Sequence, residues 1–293
     1  MNASDTEFEL LREFLLRETG IDVPESKRYL FSTRLSELLE KENCRNYSEL
    51  LLRIQANEQP LVRATIEAMT THESGFFREP HHFQTLFETL VPALLERKAE
   101  RLGRMSPGLR ILSAGCSFGQ EAYTLAICAE RWRALRSDIP AVDISIVGID
   151  ISERALERAR LGSYTDLELG SHLALEDRDR HFKRTGEYWQ LSQTIRDRVS
   201  FQCANLSQPM SIPGNFDVIF CRNVIIYFSR ELKISVLERL RSALEPNGVL
   251  FIGSAESLYG VGVDFTHQTC GHSAYYEHPT TKANPQEVYP WKS

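Results

Sequence analysis

Leu109-Arg110-Ile111-Leu112-Ser113-Ala114-Gly115-Cys116-Ser117-Phe118-Gly119-Gln120-Glu121 is the segment on which the fold turns. Six largely apolar residues, Leu109–Ala114, run into a turn bounded by Gly115 and Gly119, and helical spacing takes over across 121–135. Strand, turn and helix in that order are the repeating unit of a parallel sheet. The unit recurs on the C-terminal side. Apolar runs lie at 144–149, 199–204, 216–221 and 249–253, with helical patterns at Glu153–Leu161 and 230–244; upstream, 83–99 is also helical. Short, continuous apolar runs separated by helices read as strands buried on both faces. The predicted class is α/β, a doubly wound Rossmann-like sheet. The end of the chain breaks the alternation: 264–269 and Ser273–Glu277 flank a Cys-Gly turn, which predicts an antiparallel C-terminal hairpin.

Before residue 75 the pattern is helical throughout. Phe8, Leu11 and Leu15 recur at helical spacing. Pro24 opens a second segment with the stripe Phe31, Leu35, Leu38 and Leu39, and 48–54 and 61–69 supply two more helices. The predicted division is a helical N-terminal domain at 1–75 and a sheet domain at 76–280. Residues 162–198 are too many for a βα loop. A helical stretch at 167–175 and the alternating Tyr188–Leu191 predict a small inserted β-subdomain at about 163–198, and the polar segment 281–293 reads as a flexible tail.

Composition narrows the function classes. The 293 residues are 42% hydrophobic and 25% charged, with a formal net charge of −6. That balance supports a real core and disfavours a globally basic nucleic-acid binder. No apolar run reaches the ~20 residues needed to span a bilayer. The acidic, polar start MNASDTEFELL is not a secretory signal. Six cysteines without a CxxC pair predict free, mostly buried thiols in a reducing compartment, hence a cytoplasmic protein. His81-His82 lacks a third ligand at metal spacing, so no metal site is expected.

In open α/β sheets, ligands sit at the carboxyl ends of the strands. The first strand ends in a glycine turn followed by Glu121, with bulky Phe118 between the glycines. That is not GxGxxG, and a carboxylate there repels a pyrophosphate. It attracts a cation, which points to S-adenosylmethionine, with its ammonium and sulfonium; a plain turn with a solvated Glu is the competing reading. The second strand ends in Asp150, placed to accept from ribose hydroxyls. After the third come Asn205 and Leu206, an amide beside an apolar wall, as an adenine needs; Asn205 is equally at home as a turn residue. The fourth strand ends in Arg222-Asn223, the only polar interruption of a long apolar stretch, which makes them pocket residues. Tyr227 lies four residues on and reads either as packed core or as a pocket hydroxyl. In the segment joining the two domains, Phe76-Phe77 reads as a packed anchor, and Arg78 beside it as an ion-pair residue or a pocket residue.

Together these segments resemble the CheR family of chemotaxis receptor methyltransferases. The matching pieces are TTHESGFFREPHHF, SAGCSFGQEAYTLAI, GIDIS, Asn205-Leu206, FDVIFCRNVIIYF and GVLFIGSAESL, in family order. The resemblance implies methyl transfer from S-adenosylmethionine to glutamates on the cytoplasmic domains of chemoreceptors. It implies cofactor contacts at His72, Ser74, Arg78, Glu121, Asp150, Asn205, Leu206, Arg222 and Asn223, to which the turn itself adds Gly115, with Arg78 and Tyr227 facing the acceptor carboxylate. His72 stands where Asn is common in the family, Ser74 where Thr is common, and Gln120-Glu121-Ala122 replaces a Glu-Glu-Pro pattern. The inserted subdomain resembles one that, in some members, docks a pentapeptide at the receptor C-terminus. Its hairpin is shorter here, so no such tether is expected to be required.

Two further expectations concern partners. Lys27, Arg34, Lys41 and Arg45, spaced 7, 7 and 4, would share one face of a single helix and could steer the enzyme to an acidic receptor. Rival readings are a methyltransferase of another substrate, a non-catalytic S-adenosylmethionine-binding regulatory domain and, weakest, a dehydrogenase.

Overall fold

The computed structural model describes residues 3–103, 108–136, 142–209, 212 and 214–279. The segment 281–293, expected to be a flexible tail, lies outside them.

Four α-helices form the N-terminal layer: Asp5–Thr19, Tyr29–Lys41, Tyr47–Gln55 and Gln59–Met69. Ser4 and Glu7 start the first with a reciprocal capping box, and Gly20, at φ 74°, ends it in the left-handed conformation that glycine tolerates. Phe8, Leu11, Phe31, Leu35, Leu50 and Leu61 close a core of their own. The second segment is not the single helix its stripe suggested. Pro24 leads only into a 3-10 turn, Glu25–Lys27, and the α-helix restarts at Tyr29. The expected basic face is thereby dismantled. Lys27 sits off the helix, Arg45 lies beyond its end, and Arg34 turns inward, donating to the Met69 carbonyl at 2.8 Å and to Thr71 Oγ1 at 3.0 Å. Sequence spacing places residues on one face only while the helix continues, and here it does not.

Ten strands follow: β1 (Leu109–Ala114), β2 (Ile144–Asp150), β3 (Ser163–Thr165), β4 (Phe182–Thr185), β5 (Tyr188–Leu191), β6 (Val199–Cys203), β7 (Phe216–Phe220), β8 (Leu244–Phe251), β9 (Thr266–Cys270) and β10 (Ser273–Glu277). Seven form the main sheet in the order β6-β2-β1-β7-β8-β10-β9. The first five are parallel to one another, while β10 runs antiparallel to both β8 and β9. The hairpin thus folds back with its second strand against the sheet. The order reverses at β1, so the crevice at the carboxyl ends of β1 and β7 is the topological switch point. The in-register β1–β2 pair, from Leu109↔Ile144 to Ala114↔Ile149, delivers Gly115 and Asp150 to that same edge. β6 departs from burial on both faces. As an edge strand it leaves Ser200, Gln202 and Cys203 exposed.

The helix before β1 is longer than its pattern. It runs from Pro80 to Leu102 with a π-helical turn at Thr85–Leu90. That wide turn abuts Pro92, whose ring would collide with the Glu88 carbonyl in a regular α-helix. The insertion forms a three-stranded sheet, β3-β5-β4. The helix expected at 167–175 is instead two, Asp166–Leu169 and Leu175–His181, because Gly170 at φ 70° stops the first. Phe76 is the anchor that ties this subdomain down, edge-on to Tyr164 at 5.0 Å and to Phe182 at 5.3 Å.

Candidate functional site

The turn after β1 is built from left-handed backbone: Gly115 at φ 76°, Ser117 at φ 51° and Gly119 at φ 85°. A Cβ on Gly115 would lie 2.4 Å from Val224, so the β1 and β7 loops meet only because no side chain stands there. The turn presents its amides to β2. Ser117 N–H donates to Asp150 Oδ2 at 2.8 Å and Ser152 N–H to Oδ1 at 3.0 Å. Asp150 is 8% exposed. Burial pushes its pKa up, and the two N–H donors and the nearby His72 work against that. Burial pushes the His72 pKa down. Its ring packs against Phe118 at 5.1 Å and its Nε2 lies 3.1 Å from Thr70 Oγ1.

At the end of β7, Arg222 is almost fully buried. It pairs with Glu121 at 3.0 Å and with Glu79 at 2.7 Å, and donates to the Arg78 carbonyl at 2.6 Å. Its guanidinium also lies 5.4 Å from the centroid of Phe83 and 5.9 Å from that of Phe220. Glu121 accepts a further bond from Ser113 at 2.7 Å. Burial raises the Glu79 pKa, but hydrogen bonds from His82, Arg222 and the Ser254 N–H outweigh it and hold the carboxyl well below the usual range. Glu121 is therefore not the isolated charge that the sequence suggested. Two carboxylates share one guanidinium, which leaves the group one negative charge in excess.

Arg78 differs from Arg222 in every respect. Its backbone is fixed between two strained residues, Phe77 at φ 53° and Glu79 at φ 56°. Phe77 N–H donates to Thr124 Oγ1 at 3.1 Å. Yet the Arg78 side chain is 38% exposed, and its hydrogen-bond and ion-pair contacts among the described residues are loose ones to Glu73, at 3.4 and 3.9 Å. A fixed backbone carrying a loosely held guanidinium is a cation with bonding capacity to offer.

Two adjoining clefts open along this edge. The larger holds about 1150 Å³ of empty space, the open solvent at its mouth included. His72, Gly115, Asp150, Asn205, Leu206, Arg222, Asn223 and Tyr227 line it. The smaller, about 350 Å³, is lined by Ser74, Arg78, Gly115, Glu121, Arg222 and Asn223. The clefts share Glu73, Gly115, Arg222 and Asn223, so Arg78 and Tyr227 line adjoining chambers that meet along these four residues.

Asn205 stands in the cleft wall with its amide already engaged. Nδ2 donates to the Glu18 carbonyl at 2.7 Å, while Oδ1 accepts from Ser207 N–H at 2.9 Å and Ser207 Oγ at 2.7 Å. That is the turn role, extended into a brace to the N-terminal layer. The sequence also missed that this layer walls the cleft through Ile21, Asp22, Lys27 and Arg34. The one available signal was the break at Gly20-Ile21-Asp22-Val23-Pro24 between two helical stripes. Ile21 bridges Phe228, and Glu67 accepts from Ser152 Oγ at 2.6 Å across the same boundary.

The donor set fits an adenosine bearing a cationic tail. The larger cleft offers a carboxylate at the end of β2 and the apolar Leu206. The acid-rich group around Arg222 favours a cation at the other end. The Ser117 hydroxyl lines the larger cleft and is buried without a protein partner among the described residues.

Comparisons with known proteins agree along most of the chain. The family profile of the CheR methyltransferase SAM-binding domain matches residues 72–273, and that of the CheR methyltransferase all-alpha domain matches residues 6–70. Chemotaxis protein methyltransferase 1 of Pseudomonas aeruginosa is 35% identical over 277 residues, covering 94% of this chain and 99% of the relative. The chemotaxis protein methyltransferase of Vibrio parahaemolyticus is 35% identical over 277 residues, covering 94% and 97%. A probable biofilm formation methyltransferase, WspC of P. aeruginosa, is 37% identical over 201 residues, covering 67% of this chain and 44% of the relative. This chain belongs to the CheR methyltransferase family, and S-adenosylmethionine is its cofactor.

Proposed function

We propose that this protein transfers the methyl group of S-adenosylmethionine to glutamate side chains on the cytoplasmic domains of chemoreceptors, giving glutamyl methyl esters and S-adenosylhomocysteine. The observation that carries this reading is Arg78. A half-exposed, loosely held guanidinium on a strained, fixed backbone beside the cofactor cleft is what an acceptor carboxylate requires. The printed names of the relatives, chemotaxis protein methyltransferases, point the same way.

Bound S-adenosylmethionine supplies an electrophilic methyl group on a sulfonium. The acceptor carboxylate, with an ordinary pKa of about 4.3, is already ionised at neutral pH, so the chain needs no general base. Its residues orient and exclude water. Arg78 orients the carboxylate, and the Tyr227 hydroxyl donates to it. In this reading His72, Ser74, Gly115, Glu121, Asp150, Leu206, Arg222 and Asn223 hold the cofactor, and Asn205 contributes through its main chain because its amide is occupied. Residues 76–280 carry out the transfer, and residues 1–75 close the cleft and meet the receptor. The four-residue strands of the inserted hairpin support docking without a pentapeptide tether; tight, saturable binding of such a pentapeptide in a titration would refute that. No helix among the described residues is long and apolar enough to cross a membrane, which is compatible with a cytoplasmic site of action.

The reading is tested by incubating the protein with labelled S-adenosylmethionine and receptor cytoplasmic fragments. Base-labile label mapping to glutamates is expected; base-stable label on other residues would overturn it. A second expectation concerns Glu121. Glu121→Gln removes the excess negative charge and weakens one arm of the Arg222 bridge. Cofactor affinity should fall by about ten- to a hundredfold, the scale of a lost charge-assisted hydrogen bond. An unchanged dissociation constant by calorimetry would exclude Glu121 as a cofactor determinant.

A further inference from the structure

Glu256 lies in the turn after β8, Gly253-Ser254-Ala255-Glu256, and lines neither cleft. Its carboxylate nevertheless reaches back to the β7 loop. Oε2 accepts from the Gly253 N–H at 2.7 Å and from the Asn223 N–H at 2.8 Å. Asn223 is a non-glycine residue at φ 59°, a conformation that persists only where the surroundings hold it. Asn223 opens the short loop that ends in the 3-10 turn Ile225–Tyr227. One half-buried carboxylate that accepts from backbone N–H groups of two segments ties this loop to the turn after β8.

The surroundings are shaped for this contact. A Cβ on Gly253 would come 2.6 Å from Asn223 Nδ2 and 3.0 Å from Glu256 Oε2. Gly253 has no side chain because the Asn223 amide and the carboxylate occupy that space. Glu256 also closes its own turn, donating its N–H to the Gly253 carbonyl at 2.8 Å. Burial pushes the Glu256 pKa up, and the backbone N–H groups oppose it. Oε1 is buried with no hydrogen-bond partner among the described residues. A carboxylate kept under these conditions has a task other than solvation.

We propose that Glu256 is a positioning residue: through the Asn223 amide it holds the Arg222–Tyr227 loop in the shape that the cofactor and the acceptor require. The proposal rests on the function proposed above, and its test separates the two. Three variants are compared in the full-length chain: Glu256→Ala, Glu256→Gln and Gly253→Ala. S-adenosylhomocysteine binding is measured by calorimetry, with the melting temperature alongside. Glu256→Ala and Gly253→Ala should each weaken binding by about tenfold or more, as a small misplacement of binding groups does. Glu256→Gln keeps an oxygen acceptor for the same amides and should stay within about threefold of the parent. Unchanged affinity in Glu256→Ala, or equal damage in Glu256→Gln, overturns the proposal. If Glu256→Ala does not fold, Gly253→Ala decides, and unchanged affinity there overturns it. A parent protein that fails to bind S-adenosylhomocysteine sinks the functional reading itself; a binding parent with unaffected variants sinks only the role of Glu256.

Discussion

Arg78→Ala should reduce methyl transfer about a hundredfold or more, the loss expected when a substrate-orienting cation is removed from a water-excluded site. The fold should barely notice. The side chain's hydrogen-bond and ion-pair contacts among the described residues are loose ones to Glu73, and exposed ion pairs contribute at most about 1 kcal/mol. The backbone at this position is held independently, by the Arg222 bond to the Arg78 carbonyl and by the packing of Phe77 against Phe83. Turnover, melting temperature and S-adenosylhomocysteine affinity should therefore separate, with turnover falling furthest. Arg78→Lys keeps the charge and loses the planar fork, so it should fall between the two. Near-normal turnover in Arg78→Ala would refute the assignment.

Arg222→Ala should do the opposite and damage the fold as well as the site. It removes the guanidinium shared by Glu79 and Glu121 and leaves two largely buried carboxylates near one another. Breaking a buried ion pair from one side costs about 3–5 kcal/mol. The pH dependence gives the account its sign. In the folded parent the Glu79 pKa lies below its ordinary value, so its stabilising contribution is present at neutral pH and is lost as pH falls. The variant has lost much of that contribution already, and protonation relieves the repulsion. The stability gap between parent and variant should shrink as pH falls from 7.5 to about pH 3, two values that lie on either side of the titration of an ordinary carboxylate near 4.3. Urea unfolding at the two pH values measures it. A gap under about 1 kcal/mol at neutral pH, or one independent of pH, would show that the bridge is not what holds this corner.

Much of this site was legible as residues following strands. Periodicity placed β1, β2, β6, β7 and β8, and in a doubly wound sheet the residue after a strand is a ligand-facing residue for topological reasons. Gly115, Asp150, Asn205 and Arg222 came into view that way. Their chemistry was less legible than their position. Asn205 was read as an adenine partner, yet its amide is engaged by Ser207 and by Glu18, 187 positions away in sequence. Glu121 was read as a free anion, yet it meets Arg222 from 101 positions away. The basic face failed for a local reason, the helix break between Lys27 and Tyr29.

The order of strands, turns and helices follows from short-range physics: hydrophobic period, glycine at left-handed positions, capping side chains. That was enough for an α/β sheet, a helical N-terminal layer and a ligand edge. Which charges at that edge are free and which are paired was decided only by the packed chain. Arg222, Glu79 and Glu121 come from three separate segments, and only the tertiary fold brings both carboxylates within 3.0 Å of the Arg222 guanidinium. Glu256 reaches Asn223 in the same way, across the parallel β7–β8 pair. In the proposed function the Gly115–Glu121 turn is a cofactor turn by its local sequence. Its charge is set by neighbours that local sequence cannot name, because a buried ion pair depends on where chains meet and not on how far apart their residues are numbered.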